Sequence, residues 1–143
     1  MYKNIKKIKR GGYDVFDINI IQGYMSVTWI NHKGKKILFS NYVGCKNAEE
    51  MIEVLHKEAE TLRTQSTKVL VMADFTNSFP NDKYMDEVKK VGNAVLKSKI
   101  QKTASVGITV IKKILFKAYI TFTGQKDIKL FDNQKEALDW LAE

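Results

Sequence analysis

Val69-Leu70-Val71-Met72-Ala73 is an unbroken apolar run that ends on Asp74 and the small polar residues Thr76, Asn77 and Ser78. A short run without alternation, lying between two stretches of helical spacing, fits a strand buried on both faces, as in the middle of a parallel sheet. That one assignment constrains the rest of the chain. Parallel neighbours need crossovers of about a dozen residues or more, and both faces of the sheet need a cover of helices. Asp74 then stands at the carboxyl end of the strand, the edge at which open α/β sheets meet ligands and partners.

The flanking sequence supplies the required parts. Residues 13–21 alternate, with Phe16, Ile18 and Ile20 against Asp17 and Asn19, which predicts a half-buried strand. Further strands are expected over 24–30 and 36–40, paired as an antiparallel hairpin by the turn chemistry of Asn31-His32-Lys33-Gly34. The period then becomes helical: Ala48, Met51, Ile52, Leu55, Ala59 and Leu62 share a face behind a capping box of Asn47 and Glu50, giving a helix over 47–64. After the 68–74 strand, Met85, Val88, Gly92 and Val95 predict a second helix over 81–98. Residues 103–108 read as a strand, 110–123 as a third helix ended by Gly124, and 128–131 as a short strand. Asn133 and Glu136 cap a terminal helix bearing Ala137, Leu138 and Leu141. The expected fold class is α/β: a mixed, mostly parallel sheet with an N-terminal antiparallel hairpin and four helices, the 68–74 strand lying between 36–40 and 103–108. A single domain over 13–143, preceded by a basic tail over 1–12, suits a chain of 143 residues.

Composition narrows the function classes. The formal net charge of +8 invites a nucleic-acid reading, but of 24 basic residues only Arg10 and Arg63 are arginine, the residue suited to bidentate reading of bases and phosphates. Lys3, Lys6, Lys7, Lys9 and Arg10 carry five of the charges, and without them the net is +3. No specific nucleic-acid partner is expected. No apolar run approaches the roughly 20 residues of a transmembrane helix, and the basic start leads into glycines rather than a signal-peptide core, so a cytoplasmic protein is expected. Cys45 is the only cysteine, which rules out an internal disulfide, and neither His32 nor His56 has a neighbour at metal-ligand spacing. No cofactor is implied. A nucleophile elbow, a phosphate-cradling glycine loop and a metal cluster are all missing from the sequence, so a non-enzymatic role is expected.

The element order, the Asp74-Phe75-Thr76-Asn77-Ser78 segment and the ending Ile128-Lys129-Leu130-Phe131-Asp132-Asn133-Gln134-Lys135-Glu136-Ala137-Leu138-Asp139-Trp140-Leu141 together resemble the SpoIIAA-like branch of the STAS superfamily, over about 13–143. The resemblance implies an interaction or regulatory module of STAS/SpoIIAA-like fold. In the anti-sigma-factor antagonists of that superfamily, an Asp-Ser-Ser-Gly motif soon after the central strand presents a serine for phosphorylation. The matching place here reads Asp82-Lys83-Tyr84-Met85, with the acid and without the serine. A phosphoserine switch at that position is therefore not expected, which leaves Thr76 and Ser78 on the preceding loop as hydroxyls for modification.

Each candidate site has a structural alternative. Asp74 is placed to orient a ligand, yet a lone carboxylate serves equally to accept N–H bonds from its own loop. Thr76 and Ser78 suit either an anion or the cap of the following helix. In the third helix Ile111, Ile114, Leu115, Ala118 and Phe122 suffice for the face packed on the sheet, which leaves Phe116, Tyr119 and Ile120 surplus. Those residues, with Asp74, Thr76, Ser78 and Asp82, are the expected partner- or ligand-binding set. The expected occupants are a protein partner or a second copy of the chain, or alternatively a small apolar ligand or an anionic lipid surface met through the third helix. Trp140 is assigned to packing between the last helix and the sheet, and Cys45 to an inert thiol.

Overall fold

The computed structural model describes residues 7–10, 13–16, 26–125 and 127–143. The strands are β1 (Lys7–Arg10), β2 (Tyr13–Phe16), β3 (Ser26–His32), β4 (Lys35–Asn41), β5 (Val69–Asp74), β6 (Ile100–Val106) and β7 (Ile128–Phe131). The helices are α1 (Ala48–Arg63), α2 (Asp82–Val91), α3 (Val110–Thr123) and α4 (Gln134–Ala142). β1 and β2 pair antiparallel as a two-stranded ribbon, so part of the basic segment 1–12 is strand. Residues 17–21 and 24–25, expected to be extended, lie outside the described residues.

The other five strands form one mixed sheet in the order β3-β4-β5-β6-β7. β3 and β4 are the expected hairpin, from Ser26 opposite Asn41 to His32 opposite Lys35. Its two-residue turn, Lys33-Gly34, has φ of 49° and 77°, the left-handed pair that a type I′ turn requires. All later pairings are parallel, and β5 occupies the centre between β4 and β6. Among the described residues, the α/β class, the mixed sheet and the four helices are as the sequence implies.

Alternation along the strands divides the core. Leu38, Tyr42, Val71 and Ala73 face α1 and α2, where Met51, Leu55, Leu62 and Val88 complete the larger cluster with Leu96 just beyond α2. Ile37, Phe39, Met72, Ala104 and Val106 face the other way, against Ala137, Leu138 and Leu141 of α4. Trp140 packs on this second cluster, its ring centre 5.6 Å from that of Phe131. The caps follow the sequence signals: Asn47 accepts from Glu50 N at 2.9 Å and Asn133 from Glu136 N at 2.9 Å. Asn81 caps α2, accepting from Tyr84 N at 3.1 Å, so Thr76 and Ser78 do not.

Two boundaries depart from the expected ones. α2 runs into a π-helical turn over Gly92–Leu96 and ends with Lys97–Lys99, and β6 begins at Ile100 and stops at Val106. The early stop is set by Gly107, at φ +79°, where an added Cβ would lie 2.5 Å from Thr76 N. The β6–α3 loop therefore crosses tightly over the β5–α2 loop, which only glycine permits. No helix among the described residues is long and apolar enough to cross a membrane.

Candidate functional site

The strand-tip residues are brought together as expected, but mostly to hold one another. Asp74 is 4% exposed. Its Oδ1 accepts from Thr76 N at 3.0 Å and Thr76 Oγ1 at 2.7 Å, and its Oδ2 accepts from Gln134 Nε2 at 3.0 Å. This is the loop-closing alternative, with both oxygens engaged. Ser78 is fully buried and its Oγ donates to Phe75 O at 2.7 Å, whereas Thr76 and Asp82 lie at the surface. Around these tips runs a groove of about 400 Å³, lined by Thr76, Phe79, Pro80, Gly107, Ile108, Lys112, Phe131 and Asp132 among others, with Phe79 71% exposed.

α3 is rotated from the expected orientation. Ile114, expected on the packed face, is 72% exposed, while the charged Lys112 is 7% exposed. The inward stripe is Lys112, Phe116 and Tyr119, at helical spacing of four and three residues. The reason lies at the strand tips. Lys112 Nζ donates to Phe75 O at 2.7 Å and Gly107 O at 3.2 Å, two carbonyls beyond the ends of β5 and β6, while its alkyl stem covers apolar surface. Phe116 and Tyr119 thereby become the roof of a cavity instead of surplus surface. Ala118 packs on the larger core cluster as expected. Ile120 is half-buried and does not line the cavity. The side chains of Ile111, Leu115 and Phe122 lie outside those described.

The cavity has a volume of about 60 Å³. At roughly 10–15 Å³ per water-sized body, it holds about four or five heavy atoms. Its floor is explained by register: Ala73 and Ser105 line it side by side on β5 and β6, and Ser40 stands next to Ala73 on β4, at the edge of the same row. Three small residues in a row leave space that larger side chains would fill. The walls are Tyr42, Leu55, Val71, Phe75, Tyr84, Met85, Leu96 and Ile100, with Thr103 beside Ser105.

One ionisable side chain reaches this apolar space from α1. Glu58 is 5% exposed, and Ser40 Oγ donates to its Oε1. Burial, only partly offset by that hydrogen bond, pushes its carboxyl up to about 7. Among the described residues no cation pairs with it. Three phenols surround it. Tyr119 donates to Gln125 Oε1 at 3.4 Å. All three are pushed up by burial, with the charge of Glu58 adding to the effect. The Tyr42 ring stacks on Phe75 at 4.6 Å and meets Tyr84 edge-on at 5.8 Å.

Glu58 was missed by the sequence reading, although a signal existed. It sits three residues after Leu55 and four before Leu62, on the buried stripe of α1, where a carboxylate is out of place. Cys45 is buried and its thiol is pushed up to about 12 by burial and by Glu50 and Glu53, which is the inert cysteine expected. Among the described residues no three His, Cys, Asp or Glu side chains are placed to hold a metal ion. Comparison of the chain with family models, with curated proteins and with solved structures finds no significant match.

Proposed function

We propose that this protein is a non-enzymatic regulatory module that binds a small, mostly apolar molecule beneath α3. The observation that carries the reading is the cavity under Phe116 and Tyr119, whose lining is apolar apart from a few convergent polar groups, the usual composition of a ligand pocket. Lys112, Pro80 and Ile108 line both this cavity and the groove at the strand tips. An occupant that shifts α3 would therefore alter the surface on which a partner docks. No bond-making step is required of any residue. A phosphorylation switch at the start of α2 is not part of this reading, because Lys83 and Tyr84 stand where the resemblance to the SpoIIAA-like branch would place the serine.

The test is a titration of isotope-labelled protein with 1-propanol and with butane, four heavy atoms each, followed by amide chemical shifts. Small-ligand efficiency limits such affinities to the range of tens of micromolar to millimolar. Saturable shifts at Tyr84, Lys112 and Tyr119, abolished by Ala73→Leu, support the reading. Unsaturable or absent shifts overturn it.

A second reading, docking of a protein partner or a second copy at the strand tips, is favoured by Phe79, which stands exposed in the groove with Lys112 Nζ 5.7 Å from its ring centre. Sedimentation of the native protein and of Phe79→Ser tests the second copy. A concentration-dependent dimer that the substitution dissolves supports it, and a monomer at all concentrations excludes it.

A further inference from the structure

We propose that the Glu58 carboxylate and the aromatic rings around it anchor a small organic ammonium group, so that the ligand of the cavity is a short amine with an apolar body. The inference rests on the reading of the cavity as a ligand site and deepens it by naming the ligand class. Three features carry it. First, a nearly fully buried carboxyl on α1 stands beside the cavity without a cationic partner among the described residues. A buried charge is normally paired, so this position lacks its complement. Secondly, Tyr42, Phe75, Tyr84, Phe116 and Tyr119 all line the same space, and aromatic faces attract an ammonium group, most strongly when it is desolvated. Thirdly, the room for about four or five heavy atoms suits an ammonium nitrogen with a three- or four-carbon body.

The groups facing Glu58 from each neighbouring element leave it as the one that titrates near neutrality. Ser40 on β4 donates to it. Tyr42 after β4, Tyr84 on α2 and Tyr119 on α3 are all phenols pushed further above their ordinary range, and Cys45, which acts on Tyr84, is pushed up to about 12. Lys112 is held by the carbonyls of Phe75 and Gly107 and does not act on Glu58. An ammonium ligand binds the ionised carboxylate, whose population rises about tenfold between pH 6 and pH 8 for a group at about 7. Ammonium affinity therefore rises with pH, whereas a neutral alcohol gains nothing from the ionisation.

The experiment compares propylammonium chloride with 1-propanol, matched in size, at constant ionic strength and at pH 6 and pH 8, in the native protein and in Glu58→Gln. The expected result is a preference for propylammonium of at least tenfold at pH 8, shrinking about tenfold at pH 6, and two probes within about threefold of each other in Glu58→Gln. Saturable binding of 1-propanol with no ammonium preference at pH 8, or a preference that survives Glu58→Gln, overturns the ammonium anchor and leaves the cavity reading standing. Saturable binding of neither probe overturns both. The pH dependence of the native protein decides the matter alone should Glu58→Gln fail to fold.

Discussion

Replacing Glu58 by glutamine should make the protein more stable above neutral pH, because burial raises the affinity of the native carboxyl for its proton and makes its ionised form costly. The unfolded chain titrates it at about 4.5 and the folded chain at about 7. Between these values the folded state binds the proton that the unfolded state has released, so folding stability falls as pH rises through the interval and levels off above about 7. At about 1.4 kcal/mol per pH unit of difference, the loss amounts to about 3 kcal/mol by pH 8. Glu58 is 5% exposed, so solvent screening does not shrink this figure as it would for a surface group. Glutamine has nearly the same shape, keeps an oxygen for Ser40 Oγ to donate to, and has no charge to bury. Urea unfolding followed by Trp29 and Trp140 fluorescence, at pH 5, 6, 7 and 8, gives the stability difference between native protein and variant at each pH. Groups such as Asp139, whose carboxyl Lys135, His32 and Lys33 hold well below its usual range, act on both proteins and cancel. The difference should swing toward the variant by about 2.5 kcal/mol across the series, since a small part of the loss is already present at pH 5, or about 8 °C in midpoint temperature. A difference that stays constant within about 0.5 kcal/mol, the scatter of an inert surface substitution, would show that Glu58 is ionised throughout and would refute the reasoning.

Gly107→Ala should cost roughly 2–4 kcal/mol, since it forces a left-handed φ on alanine and drives its Cβ into Thr76; a urea midpoint close to native would show that the loop crossing yields freely. Ile114→Lys should leave stability within about 0.5 kcal/mol, whereas Phe116→Ala should lose roughly 2 kcal/mol, and the reverse order would restore the sequence-based orientation of α3. The Cys45 thiol should react with a disulfide reagent at pH 8 only as fast as the protein opens; labelling at the rate of a free thiol would contradict its burial.

The fold was largely legible because its signals are local and repeated. The 69–73 run has one reading in its context, and the caps at Asn47 and Asn133 are one-residue signals with short-range geometry. The errors fall where an element's boundary is set by a distant contact. Ile100, Gln101 and Lys102 lie between the helix expected over 81–98 and the strand expected over 103–108, yet pairing with β5 makes them strand, since Val69 lies opposite Ile100 and Leu70 opposite Lys102. Lys7–Arg10 carries three cations in four residues and reads as a tail, although paired to β2 it is extended. Charge is a weak argument against a strand that is not required to be buried on both faces.

The site was less legible because a cavity consists of volume that side chains fail to fill, and failure to fill is a property of several elements at once. Ser40, Ala73 and Ser105 are unremarkable in their own strands; only the parallel registers of β4, β5 and β6 set them in one row. The orientation of α3 likewise depends on Lys112 finding two carbonyls contributed by the β5–α2 and β6–α3 loops, so an apolar count over the helix alone assigns Ile114 to the wrong side. Glu58 is different, for its anomaly is visible within α1: a carboxylate on a stripe of Met51, Leu55 and Leu62 has either a buried partner or a raised affinity for its proton. Without the fold, however, the stripe does not say what faces it. The sheet answers with Ser40 on one side, whose hydrogen bond favours the anion, and with three tyrosines on the others, among which burial favours the neutral acid and prevails.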